Sequence, residues 1–360
     1  MAVNISPRLV RLVERTRGVL LRVHQRMAPP PAAMLEFLLG EWIRNAIVAA
    51  VELGIPDALA PGPLSHEDLA RRVGADPDAL RRLMRALIGR GIFRERRDGR
   101  YELNRLADTL RSGVPFSVLG PVRLFGAPEH VELWQHLTGA VKSGCSAIPE
   151  LFGVDAVEYA DQNPAAAELF NRAMADITRL SADAVIAAYP FADFRTIVDV
   201  GGGVGQLLAA ILAAAPTSQG ILYDLPHAVA ASEPLLSRRD LAHRVQVVEG
   251  SFFDGVPAGG DLYVLKNIIH DWSDGDAIKL LRNIRTTAPD ATVLLIDFVI
   301  PENSRADHPG HWTDLEMLIV NGGRERTASE FRSVVEAAGL RMTRVVPTLS
   351  PLSLVEVAPR

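Results

Sequence analysis

The run Ile197-Val198-Asp199-Val200-Gly201-Gly202-Gly203-Val204-Gly205 decides the fold. A short β-branched stretch reads as a strand, the glycines as a turn, and residues 206–215 as a helix. Glycines at such a junction let the backbone approach a ligand and leave helix N-terminal amides free to meet it. The dinucleotide fingerprint G-x-G-x-x-G requires glycine at 206, where Gln206 stands. Gly201, Gly203 and Gly205 form G-x-G-x-G instead, a tight turn suited to a ligand without a pyrophosphate. A second strand, 220–224, ends at Asp224, whose carboxylate can take both hydroxyls of a ribose. Turn and carboxylate together indicate an adenosyl ligand in an open α/β sheet.

Working outward, 245–249, 261–265 and 292–298 read as further strands, with a helix, or room for one, in each gap. This predicts an α/β fold with a Rossmann-like, doubly wound parallel sheet. Residues 341–346 and 352–357, joined by 347–351, predict a C-terminal antiparallel hairpin. Upstream, residues 32–112 read as helices joined by short turns. Gly54 ends one helix, and Pro77 opens another in its first turn. Ser65 is placed as a cap, with Asp68 reaching back as in a capping box. Asp98-Gly99 turns a hairpin within 94–103, completing a winged-helix pattern. Residues 113–190 look helical and irregular, with Asn163 capping a helix at Pro164. At the N-terminus, Leu9, Leu12, Val13, Val19, Leu20 and Val23 give an apolar stripe. Arginines 8, 11, 15, 17, 22 and 26 surround it, so the stretch is expected to be an amphipathic arm packing on a partner, stopped by prolines 29–31.

The chain is similar to the plant-type S-adenosylmethionine-dependent O-methyltransferases and their actinobacterial relatives in small-molecule biosynthesis. The similarity spans residues 35–358. It rests on the glycine run above, Tyr223-Asp224-Leu225-Pro226-His227, Glu249-Gly250-Ser251-Phe252-Phe253 and residues 265–274 around His270-Asp271-Trp272. Asn321-Gly322-Gly323-Arg324-Glu325-Arg326-Thr327 and Phe170-Asn171-Arg172-Ala173-Met174 complete it. The resemblance implies S-adenosyl-L-methionine as cofactor, leaving as S-adenosyl-L-homocysteine, and a homodimer. It implies cofactor contacts from Asp199, Gly201, Gly203, Gly205, Asp224, Leu225, Ser251, Phe252, Lys266 and Trp272. Phe170, Asn171 and Met174 would lie between cofactor and acceptor, with Trp134 and Met317 also lining the acceptor. Ser251 stands where the family often has an aspartate on the adenine amino group. One uncharged oxygen there implies a weaker hydrogen bond, or a water in its place. The domains expected are a helical, winged-helix dimerisation domain (1–112), a helical linker contributing to the acceptor pocket (113–190) and a cofactor-binding catalytic domain (191–360).

His270 follows the fourth strand, at the end of the sheet where open α/β proteins bind ligands. A phenol has a pKa near ~10, so a histidine base of pKa ~6.5 can help remove its proton as the oxygen attacks. Attack on a sulfonium cancels two charges, which a dry site favours. The base needs an acid on its other nitrogen. The resemblance offers Glu325 first and Asp297 second, the latter one methylene shorter than the usual glutamate. Asp271 completes the catalytic set but is expected to point elsewhere and fix the turn, while Ser273 caps the next helix. Trp272 and Met174 read equally well as plain core residues.

Composition removes several other classes. Hydrophobic residues at 48% support a real core, and the net charge of −5 gives no global pull toward nucleic acid. One cysteine, Cys145, makes no internal disulfide and suits a reducing, cytoplasmic setting. The remaining histidines show no metal spacing, so no metal is expected, and no apolar run reaches membrane-spanning length. Two rivals remain. A DNA-binding regulator would use Arg81, Arg82, Arg85 and Arg90 of the winged helix, with Arg94, Arg96, Arg97 and Arg100 beyond. A fold relative performing hydroxylation, decarboxylation or pericyclic chemistry would use the same cofactor site. The acceptor is a small molecule whose identity is open, as is N- or carboxyl- rather than O-methylation.

Overall fold

A computed structural model describes residues 7–303 and 307–360, with side chains from residue 16 onward. The side chains of Leu9, Leu12 and Val13, and of Arg8, Arg11 and Arg15, lie outside the described residues. The chain divides into two compact units, residues 14–131 with 168–177, and residues 132–167 with 178–360.

The first unit is helical. Pro29 and its neighbours open the helix Pro30–Glu52, two of the prolines occupying its first turn, where a missing N–H costs nothing. Ser65 caps His66–Val73 by accepting from the Asp68 N–H, and Asp76 caps Pro77–Gly89 by accepting from the Ala79 N–H. The Asp68 carboxylate accepts from the Ser65 hydroxyl rather than from its backbone N–H, so the capping box is incomplete. A wing of two short strands, β1 (Arg94–Glu95) and β2 (Tyr101–Glu102), follows. Ala50, Ile55, Leu69, Leu80, Met84, Leu87, Phe93 and Tyr101 pack together as the core. One face is bare: Met34, Leu35, Phe37, Leu38 and Trp42 are all at least 59% exposed.

The second unit is built on β3 (Thr196–Val200), β4 (Gln219–Asp224), β5 (Val245–Glu249), β6 (Leu262–Lys266) and β7 (Thr292–Asp297). β8 (Val299–Ile300), β9 (Arg326–Thr327), β10 (Leu340–Pro347) and β11 (Ser353–Pro359) follow. The main sheet runs β10-β11-β7-β6-β3-β4-β5, with β3 to β7 parallel and the last hairpin antiparallel. Successive side chains face opposite sides. Val198, Tyr263, Leu265, Val293 and Leu295 meet the helices Asp274–Thr287 and Ala328–Ala337 on one side. Ile197, Leu222, Leu262, Val264, Leu294 and Ile296 meet Gln206–Ala214 on the other. The chain runs outward from β3 in one direction, then restarts at β6 in the other. That reversal leaves a crevice beyond the carboxyl ends of the strands.

Two local expectations are corrected. No helix fills the gap between β5 and β6, because Gly250, Gly255, Pro257, Gly259 and Gly260 break the backbone pattern. Asn283 pins the loop instead, donating to the carbonyls of Phe252 and Phe253. Asn163 precedes the helix Pro164–Ala188, but its side-chain amide donates back to the Tyr159 carbonyl instead of capping. A separate parallel pair, β8 with β9, aligns Val299 with Arg326 and brings residues 324–327 alongside the end of β7.

Candidate active site

The glycine turn leaves β3 with Gly201, Gly203 and Gly205 all at positive φ, 70°, 56° and 81°. A side chain at Gly201 would also displace the Ile268 side chain, whose Cδ1 lies 2.3 Å away, but the positive φ is what requires glycine there. The turn is held by the acid at the end of β4. Asp224 Oδ2 accepts from the Gly203 N–H and Oδ1 from the Leu225 N–H, both at 2.7 Å. Burial raises its pKa, and these two backbone bonds oppose the rise. Asp199, fully within the fold, has an Oδ2 without a hydrogen-bond partner, and burial and the Asp224 charge push it up to about 7. Asp224 therefore braces the turn from the end of β4, and Asp199 lies buried beneath it against Gly202.

An aromatic cluster stands beside it. Trp272 packs edge-on against Phe252 and Phe253, with ring centroids 5.8 and 4.6 Å away. Ser251 Oγ accepts from the Phe253 N–H at 3.3 Å and so shapes the turn that carries both phenylalanines. Lys266 ends β6. Its ammonium donates to Asn267 Oδ1 at 2.6 Å, and burial lowers it to about 8 against the pull of Asp297 and Asp199.

His270 lies four residues further on, buried in the 3-10 turn Ile269–Asp271. Its Nδ1 is 2.8 Å from Glu325 Oε1 and 4.0 Å from Asp297 Oδ1. Neither Asp297 oxygen has a hydrogen-bond partner, nor has Glu325 Oε2. The Glu325 backbone is fixed separately, its N–H donating to Asp314 Oδ1. Asp271 departs from the expectation that it points elsewhere. Asn321 donates to its Oδ1 at 2.7 Å and holds that atom 3.7 Å from His270 Nε2. Burial alone would depress the imidazole. Asp271, the Glu325 hydrogen bond and Asp297 overcome it and raise His270 to about 9.

Of the residues expected at the acceptor, Trp134 and Met317 lie in this unit. Trp134 Nε1 donates to Glu316 Oε2 at 2.7 Å, and Met317 sits beside Glu316 in the helix Gly310–Val320. Phe170, Asn171 and Met174 lie on Pro164–Ala188, in the stretch belonging to the other unit, with Phe170 half exposed. Asp314, Asn321, Gly323 and Arg326 were missed from sequence. Only the Gly322-Gly323 doublet signalled a close approach: a side chain at Gly323 would come within 2.1 Å of the His270 carbonyl oxygen. Among the described residues, no group of three His, Cys, Asp or Glu side chains is arranged to hold a metal ion. No described helix is long and apolar enough to cross a membrane.

Comparison with known proteins identifies the family. Residues 134–341 match an O-methyltransferase domain and residues 35–113 an O-methyltransferase dimerisation domain. A phenazine O-methyltransferase of Lysobacter antibioticus is 37% identical over 92% of this chain and 97% of its own length. A mitomycin biosynthesis 6-O-methyltransferase of Streptomyces lavendulae is 38% identical over 89% of this chain and 93% of its own. An O-methyltransferase from neocarzinostatin biosynthesis, solved with S-adenosylmethionine and 2-hydroxy-5-methyl naphthoic acid, superposes with a TM-score of 0.74. It is 30% identical, over 88% of this chain and 96% of that one. With a glycine turn held by an acid at the switch of a parallel sheet, and both domain families matched in order, the chain belongs to the S-adenosylmethionine-dependent O-methyltransferases.

Proposed function

We propose that the enzyme methylates a hydroxyl of an aromatic small molecule, with His270 as general base. The observation that carries this reading is the 2.8 Å contact between His270 Nδ1 and Glu325 Oε1, both groups buried. S-adenosylmethionine, when bound, supplies a methyl group on a positively charged sulfur. The donor set fits it. Asp224 offers a fixed carboxylate to a ribose, and Phe252 and Trp272 offer faces and edges to an adenine.

His270 then works through its two nitrogens. In the deprotonated imidazole, populated above about pH 9, Nδ1–H donates to Glu325 Oε1, which fixes the tautomer and leaves Nε2 to receive the acceptor's hydroxyl proton. Asp297 and Asp271 add negative charge around the imidazolium that forms. His270, Glu325 and Asp297 are all buried, and a site out of water strengthens each of these interactions. We assign Trp134 and Met317 to the acceptor and a minor adenine contact to Ser251.

The enzyme is proposed to act as a cytoplasmic homodimer, a second copy covering the bare face around Phe37, Leu38 and Trp42. The wing arginines favour this over duplex DNA, since Arg94 and Arg96 pair with Glu102, and Arg100 with Asp98. Residues 1–112 are assigned to dimerisation, 113–190 to the linker and 191–360 to catalysis. Incubation with S-adenosylmethionine and matched aromatic hydroxyls, amines and carboxylates, read by mass spectrometry, tests the reaction. Methyl ethers support it. Methylated amines or esters alone refute the hydroxyl assignment, and cofactor consumption without methylation would favour the non-methylating relatives.

A further inference from the structure

We propose that Arg326 is a positioning residue that sets the His270 ring against Glu325, an inference that rests on the reading of His270 as the base. Arg326 is the largest fully buried side chain among the described residues. Its guanidinium reaches both sides of the histidine turn. Nη1 donates to the Ile269 carbonyl at 2.9 Å and Nη2 to the Trp272 carbonyl at 2.8 Å. Nε and Nη2 also donate to Asp274 Oδ1 at 3.0 and 2.8 Å, fastening the start of the helix Asp274–Thr287. Nη1 further contacts the Arg324 carbonyl at 3.3 Å, in its own segment.

The backbone of that segment is laced to the same turn. The Arg324 N–H donates to the His270 carbonyl at 2.8 Å, and Gly323 packs directly on it. Glu325 lies between Arg324 and Arg326, so a single rigid fork ties the carboxylate's own segment to the carbonyls flanking the imidazole. Arginine suits this role because its donors are planar and fixed, whereas a lysine ammonium, with three donors, cannot serve four diverging acceptors in the same geometry. Burying a guanidinium is a poor way to gain stability. Its better-attested effect is to specify one arrangement. Here the arrangement specified is the distance between Nδ1 and Oε1.

The test uses the full chain labelled with 15N-histidine, with the His270 signals assigned by their absence in H270A. Wild type should show a downfield, hydrogen-bonded Nδ1 proton. R326K should lose or broaden it and should move the acid limb of the kcat–pH profile. Its kcat should fall about 100-fold, the order expected for an ångström of misplacement, while S-adenosylhomocysteine affinity stays within about two-fold. D274N, which removes the fork's anchor but keeps the arginine, should shift the same proton less and carries the test if R326K fails to bind S-adenosylhomocysteine. A wild-type resonance and pH profile in the variant that does bind would overturn the proposal, as would the absence of the resonance in wild type. H270A turning over at the wild-type rate would refute the base instead, and the resonance would still decide whether Arg326 positions the ring.

Discussion

At the scale of single residues, the electrostatics around His270 make the account testable. Three carboxylates surround an imidazole that burial alone would leave neutral, and they raise it to about 9. A base must be deprotonated to act, so activity should fall as pH drops below that value. The acid limb of kcat/KM should therefore inflect above the ~6.5 of free histidine. Glu325→Gln removes one of the raising groups, so its inflection should move to lower pH while the plateau falls. An unmoved inflection in the glutamine variant would remove Glu325 from the ring. Asp224 answers to a different measurement. Charged hydrogen bonds are worth about 1.5–3 kcal/mol, so Asp224→Ala should weaken S-adenosylhomocysteine by about 10- to 100-fold in calorimetric titration. Affinity equal to wild type would move the ribose elsewhere. Asp224 stands out in sequence because it ends a strand and His270 because it follows one, while Glu325 came from the family resemblance. Arg326 did not stand out, since an arginine between charged and polar neighbours reads as solvated until its burial is seen. The placement of Asp271 was equally hidden, because it depends on Asn321, fifty residues away in the chain.

At the scale of elements, the turn Ile269–Asp271 and the segment 323–326 form one device. Adding a methyl group at Gly323 would place it 2.1 Å from the His270 carbonyl oxygen and 2.5 Å from the Asp271 carbonyl carbon. Neither atom is the end of a flexible side chain, so the backbone must move. Gly323→Ala should cost about 1–3 kcal/mol in urea unfolding, the usual range for overpacking, and should depress turnover through the displaced histidine. Unchanged stability and turnover would mean the two segments are not coupled. The strands themselves were legible. β6 and β7 read as apolar runs because both of their faces are covered, and the glycine turn gave the entry to Gln206–Ala214. The loop from 250 to 261 was less legible. The spacing left room for a crossover helix without requiring one, and the glycines and Pro257 fill it with loop.

At the scale of the whole molecule, the bare face of Pro30–Glu52 sets the next prediction. Met34, Leu35, Phe37, Leu38 and Trp42 form an exposed apolar surface of the kind that marks protein contacts. Trp42→Glu should shift the protein toward monomer in sedimentation velocity, with the winged-helix core left folded. A variant that sediments as wild type would place the contact elsewhere. Apolar periodicity revealed these helices in the sequence, but it could not say which of their faces would be left bare, because burial depends on packing within each unit.

The most direct test of the central claim is the single substitution His270→Ala. The account predicts that kcat for methylation of an aromatic hydroxyl falls by about 10²- to 10⁴-fold, the contribution of a positioned general base, while S-adenosylhomocysteine binds with unchanged affinity. Turnover at the wild-type rate would contradict it and leave the buried histidine with a structural role alone.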